Sequence, residues 1–119
     1  MLKGIGTDII KVSRVEKAAG RERFIQRVFT DGEQALFASR GNAAESMAGN
    51  FAAKEALIKA LGHGIDMREA AVLRESSGRP YFAFCGALAQ ELEDVSAFVS
   101  ISHEKEYAVA TVALEDKNG

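Results

Sequence analysis

Residues 50–62 read NFAAKEALIKALG, and within them Glu55 and Lys59 stand four apart. On a helix that spacing puts both on one face, where such a pair adds about 0.2–0.5 kcal/mol to an exposed surface. The setting is not an ordinary surface. Phe51, Ala52, Ala56, Leu57 and Ala60 are core-type residues, and the alanines leave room for a ligand or another backbone beside Glu55. A second carboxylate, Asp8, follows GIGT where a buried first strand is expected to end. A charge there is costly unless it is paired or bound to a metal. Two carboxylates from separate elements suit Mg²⁺, which takes a couple of them together with waters and phosphate oxygens. His103 closes the alternating run VSISH and could donate to a phosphate or act as a base. Plainer readings stand beside these: a turn or cap for Asp8, a polar hairpin-turn residue for His103, a solvated pair for Glu55 and Lys59. His63 reads as a loop residue whose flanking glycines allow close backbone approach to a ligand.

Other chemistries find no support. Two separated histidines and one cysteine make no zinc pattern. GIG lacks the third glycine of a dinucleotide fingerprint, and no Gly-Lys-Ser/Thr loop is present. Cys85, in YFAFCG, reads as an inert thiol in a core strand. A single cysteine excludes an internal disulfide and fits a reducing compartment, so a cytoplasmic protein is expected. The apolar stretches are too short for a membrane span, and MLKGIGTDII lacks a signal-peptide pattern. A net charge of −2 argues against a nucleic-acid partner. Its distribution is uneven: Lys11, Arg14, Lys17, Arg21, Arg23 and Arg27 face only Glu16 and Glu22 in the same segment. The region around Glu91, Glu93 and Asp94 and the tail LEDKNG lean acidic. A local basic patch points to an acidic macromolecular partner or an anionic ligand, with a solvated helix face as the alternative.

The elements that must position these residues follow from pattern. A length of 119 residues is one domain, 1–119. Leu2 to about Asp8 reads as a buried strand. SRVE proposes a capping box of Ser13 and Glu16 for a helix that stops at Gly20, and RERFIQRVF a second short helix. Thr30 and Glu33 repeat the box before a helix towards Arg40. Asn42 and Glu45 open a long helix that Gly62 closes as a left-handed cap. MREAAVLRES and RPYFAFC form a hairpin around SSG, with Pro80 near its edge. GALAQELED is a short helix, and AFVSISHEKEYAVATVAL a second hairpin turning at HEKE, with Val99 and Ile101 facing inward and Ser100 and Ser102 outward. Strand, helices, hairpin, helix, hairpin predicts an α+β fold with an antiparallel sheet and a long central helix.

Together, GIGTDIIKVSRV, FAAKEALIKALGHGI and VSISHEKEYAVATV, with RVFT and GE across Arg27–Glu33 and GRPYF at Gly78–Phe82, resemble the holo-acyl-carrier-protein synthases. These are the short bacterial type of 4′-phosphopantetheinyl transferase, and the likeness runs the length of the chain in order. The resemblance implies a single lobe of that fold. It implies transfer of 4′-phosphopantetheine from coenzyme A to a serine of apo-acyl carrier protein, releasing adenosine 3′,5′-bisphosphate and supporting fatty acid biosynthesis. It places Mg²⁺ on Asp8 and Glu55, with Asp8, Glu55 and Lys59 catalytic, and coenzyme A against Lys54, Lys59, Gly62 and His103. Attack on a pyrophosphate needs its charge neutralised and its oxygens held in line, which agrees with a metal ligand beside a phosphate clamp. The serine proton would pass to a water acidified by the ion, or to Glu55 directly. Acyl carrier proteins are acidic, and the resemblance implies docking through Arg14 and Arg21, with Arg23 and Arg27 as weaker candidates. It also implies a homotrimer with a site at each subunit interface.

Asn50 departs from the resemblance, because many relatives carry a basic residue there. If that residue meets a coenzyme A phosphate, Lys54, Arg40 or a neighbouring subunit must substitute. Two rivals remain: a non-catalytic trimeric module that binds an anionic ligand or acidic partner, and a Mg²⁺-dependent hydrolase of nucleotide pyrophosphates.

Overall fold

Two glycines set a close approach of strand to helix. Strand β1 (Leu2–Lys11) lies against the long helix α4 (Ala43–Leu61), and a Cβ on Gly4 would sit 2.1 Å from the Ala60 carbonyl oxygen. On Gly6 it would sit 2.0 Å from that of Ala56. Any side chain at either position would push strand and helix apart, and Asp8, two residues on, sits beside the same helix.

The computed structural model describes residues 1–117, so residues 118 and 119, the end of the expected domain and of the LEDKNG tail, lie outside it. From β1 the chain enters α1 (Val12–Ala19), α2 (Glu22–Val28), α3 (Asp31–Ala38) and α4. A single 3₁₀ turn, Met67–Glu69, leads to β2 (Ala70–Arg74) and β3 (Pro80–Phe84). Then come α5 (Gly86–Glu91), β4 (Val95–His103) and β5 (Tyr107–Asp116). β1, β5 and β4 form an antiparallel sheet in that order, and β2 and β3 a separate hairpin. The expected α+β fold with a long central helix is observed.

α4 is buried nearly all round, through Ala48, Ala52, Ala53, Ala56 and Leu57. It packs on Ala110, Val112 and Leu114 of β5, and Val72, Leu88 and Leu92 complete the main core. Val28, Phe29 and Phe37 make a smaller apolar cluster under α3, with Phe24 and Phe51 against it. Gly62 ends α4 at φ 84°, the left-handed conformation expected of a glycine cap. The Thr30–Glu33 capping box is present: Thr30 Oγ1 accepts from Glu33 N at 3.2 Å, and Glu33 Oε1 accepts from Thr30 N at 3.1 Å. Val99 and Ile101 are partly buried while Ser100 and Ser102 are exposed, as the alternation predicts.

Three local expectations are corrected. β1 is neither buried throughout nor ended near Asp8: Leu2, Ile5 and Ile9 are exposed, and Ile9, Ile10 and Lys11 still pair with Val109, Ala108 and Tyr107. Ser13 is not a cap: α1 begins at Val12, after Lys11, with no side-chain cap. The Val12 N–H, first of the helix's four orphan donors, is instead met at 2.8 Å by the Glu106 carbonyl in the distant hairpin turn. Cys85 is not a core thiol but is exposed at the N-cap of α5.

Candidate active site

β1 presents alternate residues to α4, so Asp8 follows Gly4 and Gly6 onto the helix side. There Lys59 Nζ donates to Asp8 Oδ1 at 3.1 Å and to the Thr7 carbonyl at 3.0 Å. Glu55 stands one turn earlier on α4, partly buried. Burial, then the neighbouring Asp8 carboxylate, pushes its carboxyl above the ordinary range, while Lys59 pulls it back. Asp8, Glu55 and Lys59 are therefore brought together, and Lys59 makes its ion pair across to the strand. Among the described residues no group of three or more His, Cys, Asp or Glu side chains gathers to hold a metal. The pair nonetheless fits Mg²⁺ by its chemistry: hard carboxylate oxygens on two elements, one of them half-buried and disfavoured as a bare charge.

Lys54 does not belong to this site, and its expected contact with coenzyme A is corrected. It is fully buried. Its ammonium donates to Glu33 Oε1 at 2.6 Å, to the Met67 carbonyl at 2.9 Å and to the Val28 carbonyl. Asn50 is buried in the same network, giving Nδ2 to Glu33 Oε2 at 2.9 Å and to the Val72 carbonyl at 3.0 Å, and taking Arg74 Nη2 on Oδ1 at 3.0 Å. The residue that departs from the family resemblance thus points inward. Sequence reasoning missed this network because its anchor, Glu33, lies on another helix. The signal was two polar residues, Asn50 and Lys54, four apart in an otherwise apolar stretch.

His103 lies apart from the carboxylates. Asp8 aligns through Ala110 with Ile101, and His103 is two residues further along β4. Two strand spacings and two residues make roughly 12 Å between backbones. His103 sits under Gly49 in the first half of α4, and its Nδ1 lies 2.8 Å from Glu45 Oε1. Gly62 is exposed at the far end of the helix. Arg14 is exposed on α1. Arg21 lines a groove of about 1120 Å³ together with Arg23, Arg27, Phe24, Phe51 and Ile65. The apolar floor of that groove was not anticipated. Among the described residues no helix is long and apolar enough to cross a membrane.

Residues 4–112 match the 4′-phosphopantetheinyl transferase superfamily. The chain belongs to this family. A holo-acyl-carrier-protein synthase of Myxococcus xanthus (strain DK1622) is 40% identical over 123 residues, covering 98% of this chain and 97% of the relative. The crystal structure of the holo-acyl-carrier-protein synthase from Neisseria meningitidis superposes with a TM-score of 0.89 at 33% identity, over 98% of this chain and all of that one. The Bacillus anthracis synthase, solved in complex with CoA (3′,5′-ADP), gives 0.84 at 34% identity, over 98% of both chains. The expected single lobe of the transferase fold is what these structures share with it.

Proposed function

We propose that this protein transfers the 4′-phosphopantetheine arm of coenzyme A to a serine hydroxyl of an apo-acyl carrier protein, releasing adenosine 3′,5′-bisphosphate. The observation that carries the reading is the meeting of Asp8, Glu55 and Lys59 at a glycine-narrowed contact, in a chain of this family. Asp8 and Glu55 would hold Mg²⁺, which when bound supplies positive charge against the pyrophosphate and acidifies a water. Lys59 offers its ammonium to a phosphate oxygen. Glu55, whose carboxyl burial and the Asp8 carboxylate push above the ordinary range, is the chain's own group best suited to take the serine proton. Nδ1 of His103 donates to Glu45, and with both ring nitrogens protonated Nε2 would donate to a phosphate of coenzyme A.

The groove beside Arg21 suits an acidic carrier protein with apolar residues at its contact surface. Its arginines would govern capture rate and salt dependence more than chemistry. We also propose a homotrimer. The sheet face turned from α4 leaves Ile5 63% and Ile9 64% exposed, with Phe98 and Val109 beside them. Large exposed apolar side chains on both sides of the polar row Thr7–Thr111–Ser100 suit cover by another subunit. A neighbouring subunit would also bring together groups, such as His103 and the carboxylates, that one chain holds apart. Light scattering should return three times the chain's mass, and a fully active monomer would remove the shared site.

The direct test is the intact mass of apo-acyl carrier protein after incubation with this protein, coenzyme A and Mg²⁺. A gain of one phosphopantetheine arm, lost with EDTA, is expected. Coenzyme A binding without any gain, across several carrier proteins, would turn the reading to a binding module.

A further inference from the structure

Lys59 does something in this structure that a phosphate clamp alone does not require. Both of its bonds go to β1, one to the Thr7 carbonyl and one to Asp8. The two ends of the ion pair are unequal: the Asp8 side chain is 16% exposed and that of Lys59 55%. Asp8 is the held partner and Lys59 the movable one. Two carboxylates against one ammonium leave the cluster with a single negative charge.

We propose that Lys59 is a stand-in cation, holding Asp8 while the Asp8–Glu55 pair carries no divalent ion and yielding Asp8 when the ion binds. This rests on the reading of that pair as a metal site. An ammonium 3.1 Å from Asp8 Oδ1 competes for the lone pairs an ion would use, and it repels a dication at short range. Both cannot be held by Asp8 at full strength. The displaced ammonium, on its four-carbon stem, remains beside the ion and meets the incoming phosphate oxygens. Lysine suits such an exchange because its ammonium is a rotatable point charge. An arginine would grip the carboxylate with a planar two-pronged fork and give it up less readily. In this arrangement the residue that organises the empty site is the one that binds substrate in the filled site.

The test is Mn²⁺ binding to the full chain without coenzyme A, followed by the loss of the free-ion paramagnetic resonance signal. Lys59→Met should bind Mn²⁺ about five- to tenfold more tightly than the parent, since a competing charge is gone. Lys59→Arg should bind several-fold more weakly. Without metal, Lys59→Met should melt lower than the parent, and saturating Mn²⁺ should raise its melting temperature by the larger increment. If Lys59 merely orients Asp8, Lys59→Met will bind more weakly or unchanged, and the stand-in role falls. Equal binding by all three proteins, with loss in Glu55→Gln, likewise removes only the stand-in role. No saturable binding by the parent or by either Lys59 variant overturns the metal site itself, and the proposal with it.

Discussion

Glu55→Gln should lose about a thousandfold in transfer rate while its metal-free fold stays at least as stable as the parent's. The rate estimate follows from charge stabilisation by a bound metal, worth several kcal/mol, at about 1.4 kcal/mol per tenfold. Gln keeps the shape of Glu but is a poor ligand for a hard cation. The stability estimate follows from the position itself. Burial and the Asp8 carboxylate both disfavour a charge on Glu55, so removing the charge removes a cost. A structural role for Glu55 would give the opposite pattern, with melting temperature and rate falling together. Coenzyme A binding measured without metal should change little, because the contacts proposed for the nucleotide end lie elsewhere. Retention of parental turnover and metal dependence in this variant would dissolve the proposed site.

Local pattern suffices for part of the fold. The Thr30–Glu33 box, the Gly62 cap and the alternation of Val99, Ser100, Ile101 and Ser102 depend on neighbours within a few residues, and each appears in the structure. Asp8, Glu55 and Lys59 were nominated because polar groups interrupt apolar runs, and the fold does bring them together. What failed depends on distant partners. Ser13 looked like a cap because the Glu106 carbonyl that serves Val12 is 94 positions away. Asp8 looked like a strand end because a carboxylate in a ladder is rare, and only the register with β5 shows that pairing continues beyond it. GIG lacks the third glycine of a dinucleotide fingerprint, yet its glycines govern the strand–helix distance. The hardest case is Lys54. In the string KEALIK, Lys54 and Lys59 are indistinguishable by type, but five residues set them about 140° apart around the helix, which sends one into the core and leaves the other at the surface.

Lys54→Met therefore should act on stability and not on coenzyme A. The substitution removes one partner of a fully buried ion pair and leaves the Glu33 carboxylate with Asn50, Thr30 and no directly bonded cation, Arg74 reaching it only through Asn50. Breaking such a pair costs about 3–5 kcal/mol. Domains of this size hold only about 5–15 kcal/mol in total. A fall of about 10–20 °C in melting temperature is the corresponding expectation. The loss is large because Lys54 ties α4 to three segments at once: the end of α2 through Val28, α3 through Glu33, and the turn before β2 through Met67. Adding Glu33→Gln should recover part of it, since an uncompensated carboxylate is worse than a neutral amide in the same place. Dissociation constants for coenzyme A, measured well below the variant's melting temperature, should match the parent's. A coenzyme A contact would show the reverse, weakened binding at an unchanged melting temperature. That result would mean Lys54 leaves its buried site when ligand arrives, exposing Glu33 without a counter-ion. The bonds that hold Lys54 inside make the stability effect the one to expect.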